Sequence, residues 1–259
     1  PSGVEARTCT GTILPRPNGP PAPGPGGEPR ERSARYLPYR LKGLPRMAET
    51  LALDHVIIGV ADLDDAAALL LVRHGLISLP GGEHPAWGTR NRIVPLGGCY
   101  LELVAVADPA AAEASGFGRW VVAMAVGDAP WGWVVRSSDL DETAARLGLE
   151  IGSGQRVRPD GLTLRWRLAG VPDVDPAERL RPFFIQWDEG TPMPGAVAVP
   201  HPAGQVAVQS VTASGSGNGV EQWLGSPVPL VDLVPGVGGV DKVSLLSDDG
   251  DVVIAPPLA

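Results

Sequence analysis

Apolar and polar positions along this chain follow two rhythms, and one phrase that joins them occurs twice. Leu53-Asp-His-Val-Ile-Ile-Gly-Val60 is a short, β-branched apolar run, and the helical spacing that follows it opens on Asp62-Leu-Asp64. Pro130-Trp-Gly-Trp-Val-Val-Arg136 leads in the same way into Asp139-Leu-Asp141, 77 residues later, and the two runs superpose without a gap. Each predicts a buried strand and then a helix, with Asp62 and Asp139 as N-caps that accept the first free N–H groups. Gly75-Leu76 and Gly148-Leu149, 73 residues apart, close the two helices, so the second is shorter by four residues, about one turn.

Three strand-like runs follow each helix. They are Leu76 to Leu79, Asn91 to Leu96 and Cys99 to Val106 in the first unit; in the second they are Leu149 to Val157, Leu162 to Ala169 and Pro182 to Trp187. The expected fold class is therefore α+β, built from paired βαβββ modules over residues 51–107 and 130–188 within a domain spanning 47–188. After a Pro- and Gly-rich linker, 189–204, residues 205–259 again read β-α-β-β-β, a third C-terminal βαβββ-like unit lacking the Asp-Leu-Asp phrase. Packing of this unit on the pair's sheet and pairing with its copy in a homodimer are both open at this stage. Residues 1–46 are Pro-, Gly- and Arg-rich without apolar periodicity, which predicts a disordered tail. Met47 just before the first strand is compatible with an upstream extension of the reading frame, and a functional basic tail is the alternative.

Composition narrows the partners. A net charge of −8 gives no long-range attraction for nucleic acid or an anionic membrane, and no apolar run reaches the ~20 residues of a membrane helix. The two cysteines, Cys9 and Cys99, sit in the tail and beside a core strand, which points to a reducing, cytoplasmic setting and not to a disulfide. The expected partner is a small molecule.

Strand parity locates candidate chemistry. Alternate residues share a face, so His55 goes with Ile57 and Gly59, and Glu102 with Tyr100 and Val104. If both faces line one cleft, His55 and Glu102 meet there, a donor pair that suits Zn, Fe, Ni or Mn. A hydrogen-bonded pair without metal is the other reading. Leu162, Leu164, Trp166 and Leu168 form an apolar face expected against the helices. That turns Arg165 and Arg167 to the cleft, where guanidinium groups recognise carboxylate or phosphate, unless both are simply solvated. His84 sits in a Gly- and Pro-flanked stretch ahead of Asn91, as a pocket wall or a solvated loop residue. His74 is expected to serve a helix end, and His201 to be exposed in the linker.

The module order, with His on the first strand and Glu on the last, resembles the vicinal oxygen chelate superfamily of glyoxalases, extradiol dioxygenases and bleomycin-resistance proteins. Gly81-Gly-Glu-His-Pro-Ala-Trp-Gly-Thr-Arg-Asn91, Arg158-Pro-Asp-Gly161, Leu164-Arg-Trp-Arg-Leu168 and Pro182-Phe-Phe-Ile-Gln-Trp-Asp188 resemble its glyoxalase-like branch, over roughly Leu51 to Asp188. The resemblance implies a cleft between the modules, with Glu102 and Gln186 in proton transfer, His84, Asn91, Arg165 and Arg167 on the ligand, and His55, Glu102 and Gln186 as metal ligands. It implies either a metal-dependent lyase, isomerase or dioxygenase, or a non-catalytic protein that sequesters its ligand. The sequence departs from that pattern at Gly132, the counterpart of His55, and at Gln186, taken as the counterpart of Glu102. Gly132 is expected to leave an open side for water or substrate.

Overall fold

The computed structural model describes residues 49–127, 129–158, 161–171, 181–215, 219–236 and 238–258, and the tail expected over 1–46 lies outside them. The first module is β1 (Leu51–Gly59), α1 (Leu63–His74), β2 (Leu79–His84), β3 (Thr89–Pro95) and β4 (Tyr100–Val106). Two helices follow, α2 (Pro109–Ala114) and α3 (Gly116–Ala125), in a connection for which the sequence pattern set no element. The second module is β5 (Gly132–Ser137), α4 (Leu140–Leu147), β6 (Ile151–Val157), β7 (Thr163–Ala169) and β8 (Phe183–Trp187).

The repeated phrase forms as its chemistry dictates. Asp62 accepts from the N–H groups of Asp64 and Asp65 at 2.8 and 3.0 Å, and Asp139 from that of Glu142 at 3.0 Å. Gly75 and Gly148 end the helices at φ 63° and 68°, a left-handed geometry that costs glycine little. The helices are 12 and 8 residues long.

One eight-stranded sheet holds both modules, in the order β2-β3-β4-β1-β5-β8-β7-β6. β1 and β5 run antiparallel at its centre, with His55 opposite Val134 and Ile57 opposite Gly132. A two-fold between these strands carries His55 to Gly132 and Ile57 to Val134, each 77 positions on, so the ladder repeats the spacing of the sequence. The sheet curls until its edge strands β2 and β6 touch, giving it an inner and an outer face.

β2 lies later than the expected Leu76 to Leu79 and takes in the Gly81-Gly82 stretch as strand. The reason is Asn91 on β3: a Cβ on Gly81 would stand 1.9 Å from its side-chain oxygen, and the Gly82 N–H donates to that oxygen at 2.8 Å. The glycines make room for an amide that the inner face uses.

On the outer face α1 and α4 pack Leu63, Ala66, Leu70, Leu140 and Ala144 against strand residues such as Ile58, Leu103, Val135 and Phe184. The third unit joins this outer core. It consists of β9 (Val206–Gly215), α5 (Gly219–Leu224), β10 (Val231–Pro235), β11 (Gly239–Ser247) and β12 (Val252–Ile254), and contributes Val211, Ala213, Val240, Val243 and Leu245. Its element order is β-α-β-β-β, but its strands run β10-β9-β11-β12, with the first strand parallel to the second. In the modules the first strand is parallel to the last. It shares the order of elements and not their arrangement. The preceding linker is pinned by His201, which is buried instead of exposed: Nδ1 accepts from the Ile77 N–H at 2.9 Å and Nε2 donates to the Pro95 carbonyl at 2.8 Å.

On the inner face α3 lays Phe117, Trp120, Val121 and Met124 over Ile57, Val104 and Val134. This covers half of the space between the modules and leaves the other half as the site.

Candidate functional site

What remains of the inner face is a cavity of about 40 Å³. The first module lines it with His55, His84, Asn91, Tyr100 and Glu102, and the second with Arg156, Trp166, Phe183, Ile185 and Trp187. A wider groove of about 950 Å³, between α1, the end of α3 and the third unit, lies away from these side chains.

The wall carries a buried row of charge. His55 Nδ1 is 2.7 Å from Asp54 Oδ1, and His55 Nε2 is 3.4 Å from Glu102 Oε2. Adjacent residues of a regular strand point to opposite faces, but the ladder of β1 slips between Leu53 and His55, a bulge that brings Asp54 to the imidazole. Asp54 is fully buried, its other oxygen accepting from Trp187 Nε1 at 3.0 Å and from Arg136 at 3.5 Å. Asn91 donates its amide to the second oxygen of Glu102 and is itself oriented by Gly82. Tyr100 stacks on the His55 ring at 4.4 Å between centroids.

These contacts set the protonation states. Burial works against a charged imidazole, but hydrogen bonds to Asp54 and Glu102, with their negative charge, outweigh it and push the His55 pKa up to about 9. Burial likewise opposes the Glu102 carboxylate; the hydrogen bond and charge of His55, then His84 and Asn91, hold it down to about 2. At neutral pH the pair is imidazolium and carboxylate. Burial lowers the His84 pKa, with the charge of Glu102 opposing; its Nδ1 meets Thr89 Oγ1 at 3.1 Å. Burial, then the charges of Asp54 and Glu102, push the Tyr100 phenol well up.

The structure brings His55, Glu102, His84 and Asn91 to one cavity, and keeps Gln186, Arg165 and Arg167 out of it. The apolar face of β7 is the cleft face: Trp166 and Leu168 line the cavity, and the alternate residues turn outward. Arg167 pairs with Asp141 of α4, its Nη1 3.0 Å from the carboxylate, and Arg165 is exposed. Gln186 alternates outward as well, its amide donating to the Ser138 carbonyl at 3.1 Å and accepting from Arg167 at 3.4 Å. The position matching Glu102 is Phe183, because Glu102 pairs with Ile57 and Phe183 with Val134. Gly132 leaves no open side, since a Cβ there would stand 2.1 Å from the Trp120 ring.

Three residues escaped sequence reasoning. Asp54 received no role, since strand parity puts it on the face opposite His55, although two adjacent polar residues in an apolar strand are a signal for a bulge. Trp120 lies in the connection without a predicted element. Arg156 is buried in β6, a strand whose other positions are mostly exposed, and its Nη1 has no hydrogen-bond partner among the described residues.

The donor set does not fit a three-ligand metal centre. With Gln186 on the outer face, His55 and Glu102 are two donors already engaged with each other, and Nδ1 of His55 belongs to Asp54. Among the described residues no group of three His, Cys, Asp or Glu is placed to share an ion.

The glyoxalase-like domain family matches residues 53–226, two thirds of the sequence. The chain belongs to that family. Its fold is that of the vicinal oxygen chelate superfamily. A hypothetical protein from Staphylococcus aureus is 18% identical, with a TM-score of 0.54 over 80% of this chain and 86% of its own. Residues 51–188, which hold both modules and their connection, are little more than half of this chain, so that likeness extends beyond them. Methylmalonyl-CoA epimerase from Mycobacterium tuberculosis is 23% identical over 52% of this chain and 86% of its own, with a TM-score of 0.37. The epimerase from Streptomyces coelicolor, in complex with 2-nitronate-propionyl-CoA, is 16% identical over 55% of this chain and 99% of its own, with a TM-score of 0.40. A comparison with curated proteins gives no match. Among the described residues of this glyoxalase-like protein no helix is long and apolar enough to cross a membrane.

Proposed function

We propose that this glyoxalase-like protein binds a small organic anion in the cleft between its modules, as a binding or sequestering protein. The observation that carries the reading is the buried row Asp54–His55–Glu102 ending at a cavity instead of in packed core. Charges removed from water are costly even when paired, and an apolar exchange of similar volume is often neutral or stabilising. A row kept at the edge of an aromatic pocket therefore fits ligand contact better than stability. A volume of about 40 Å³ holds little more than one water, so a larger ligand displaces the cavity's aromatic wall, where Trp87 packs on Phe117 and His84 lies edge-on to Trp166.

A second reading, proton transfer in an isomerase or lyase, has one observation in its favour. Against the pull of burial, His55 holds the Glu102 value down to about 2, whereas the His55 value of about 9 rests on Asp54 first and Glu102 second. A ligand that separates the pair therefore raises the Glu102 value while Asp54 keeps its hold on the imidazole, and Glu102 becomes a better base for a carbon-bound proton. Neither reading routes a step through a divalent ion, since of His55, Glu102 and Gln186 only the first two reach the cavity.

The test is a thermal-shift screen of small organic acids on the full chain, followed by His55→Gln and Trp166→Ala. A ligand of this cleft loses its shift in both variants; shifts that survive both would place binding elsewhere and end the proposal. Incubating a bound ligand in D2O decides the second reading, since deuterium incorporation that Glu102→Gln abolishes makes the protein a proton-transfer enzyme.

A further inference from the structure

Arg156 carries a buried nitrogen that no hydrogen bond satisfies among the described residues. Its side chain turns from β6 to the inner face and is 6% exposed; the nitrogen is Nη1, shut off from solvent. The sheet edges close over it, with a Cβ on Gly82 of β2 coming to 3.3 Å from Arg156 Cδ. Guanidinium does not escape the cost of burial by losing its proton, so an unsatisfied one needs an anion. Glu102 shares the cavity, but one of its oxygens faces His55 and the other takes the Asn91 amide. Asp54 is held by His55, Trp187 and Arg136. Matching Asp54 with Arg136 and Glu102 with His55 leaves a single positive charge, that of Arg156.

The same side chain borders a second space. Arg156 and Ile93 line both the inner cavity and a second, largely apolar space of about 230 Å³, whose wall also holds Leu79, Leu164, Pro194, Val197 and one further arginine, Arg158, which has interactions of its own. The guanidinium stands between a compartment the size of one small polar group and one the size of a small apolar body.

Resting on the cleft-binding reading, we propose that Arg156 receives the carboxylate of an organic monoacid whose apolar body occupies this second space. A planar carboxylate matches the guanidinium fork, and one unmatched charge suits a monoanion. A dianionic phosphate would bring its second charge against Glu102.

Phenylacetate, its neutral isostere phenylacetamide and inorganic phosphate serve as probes, by calorimetry and tryptophan fluorescence on the full chain. Phenylacetate should bind at least about tenfold more tightly than the amide, the worth of a charge-assisted hydrogen bond. Arg156→Met should lose that preference while the unliganded protein melts no lower, because a buried, unsatisfied charge has been removed; Arg156→Lys should regain part of the affinity. Equal binding of acid and amide, equal binding of phosphate, or undiminished phenylacetate affinity in Arg156→Met would overturn the assignment. If Arg156→Met fails to fold, the comparison of acid with amide in the unaltered protein decides. Acid and amide binding alike, both lost in Trp166→Ala, would reject Arg156 and leave the cleft reading standing. Failure of both probes to bind rejects the monoacid assignment, and the wider screen then judges the cleft by itself.

Discussion

The two modules follow the same path through space and bring opposite chemistry to it. From the first come Asp54, His55, Asn91 and Glu102; the matching face of the second supplies Trp166, Leu168, Phe183, Ile185 and Trp187, with Arg156 as its one cation in the cavity. At the two positions that the ladder equates, His55 has Gly132 as its counterpart and Glu102 has Phe183. Duplication thus fixed where side chains can stand, and left open what they are. A buried charge needs its partners beside it: Asp54, His55 and Glu102 come from one half, and Arg136 and Trp187 of the other half complete the shell of Asp54. At Gly132, where the second half has no side chain, the space is filled by packing, and Trp120 of α3 fills it.

The contrast breaks most visibly where a charge is left alone. Glu102→Ala strips the carboxylate from a buried imidazolium and should cost about 3–5 kcal/mol in chemical denaturation, whereas Gln186→Ala, on the outer face, should change stability little. The unaltered protein should report the same contact through pH. The folded-state value of His55 is raised from 6.5 to about 9, so its contribution is complete below 6.5 and is lost as pH rises through about 9. Glu102 is depressed from 4.5 to about 2, so its contribution is complete above 4.5 and is lost as pH falls through about 2. His55→Gln should flatten the alkaline limb. Stability unchanged from pH 6 to 10 in the unaltered protein would mean that the imidazole is not held charged.

A smaller effect sharpens the other half. Gly132→Val drives a branched side chain into the Trp120 ring, and overpacking of this kind should cost about 1–3 kcal/mol, with a shift in tryptophan fluorescence. Were Gly132 the open side that the sequence suggests, the valine would be tolerated and the spectrum unchanged. Trp120 is buried in the inner core and has little room to retreat.

Much of the scaffold was legible because its signals are local. The caps at Asp62 and Asp139, the closing glycines and the four-residue difference in helix length need only nearest neighbours, and the 77-residue offset returns unchanged in the β1–β5 ladder. His55 and Glu102 were legible as a pair because parity holds along the stretches that pair them. Asp54 was not, since a bulge is a property of two strands in register and one strand does not reveal it. The partner of Glu102 was misplaced by three residues because β8 begins after a long connection whose offset from β5 differs from that of β4 from β1. Arg156 gave no sign at all: in a strand of Gly, Ser and Gln, burial is imposed by the opposite edge of the sheet.

The face of β7 was the remaining misreading, and it yields the weakest of the expected effects. An apolar stripe on a strand normally faces a helix layer, but here both faces are covered, and the aromatic stripe of Trp166 and Leu168 belongs to the cleft. The charged stripe meets the helix side, where Arg167 pairs with Asp141 in a contact open to solvent. Exposed pairs of this kind contribute about 0–1 kcal/mol, so Arg167→Ala should lower stability by no more than that, and Arg165→Ala by less. Neither change should alter ligand affinity, whereas Arg156→Met should. Calorimetry on the three variants with one organic acid therefore separates the faces: a tenfold loss in Arg165→Ala or Arg167→Ala would return the outer arginines to the site and undo the assignment of the aromatic stripe to the cleft.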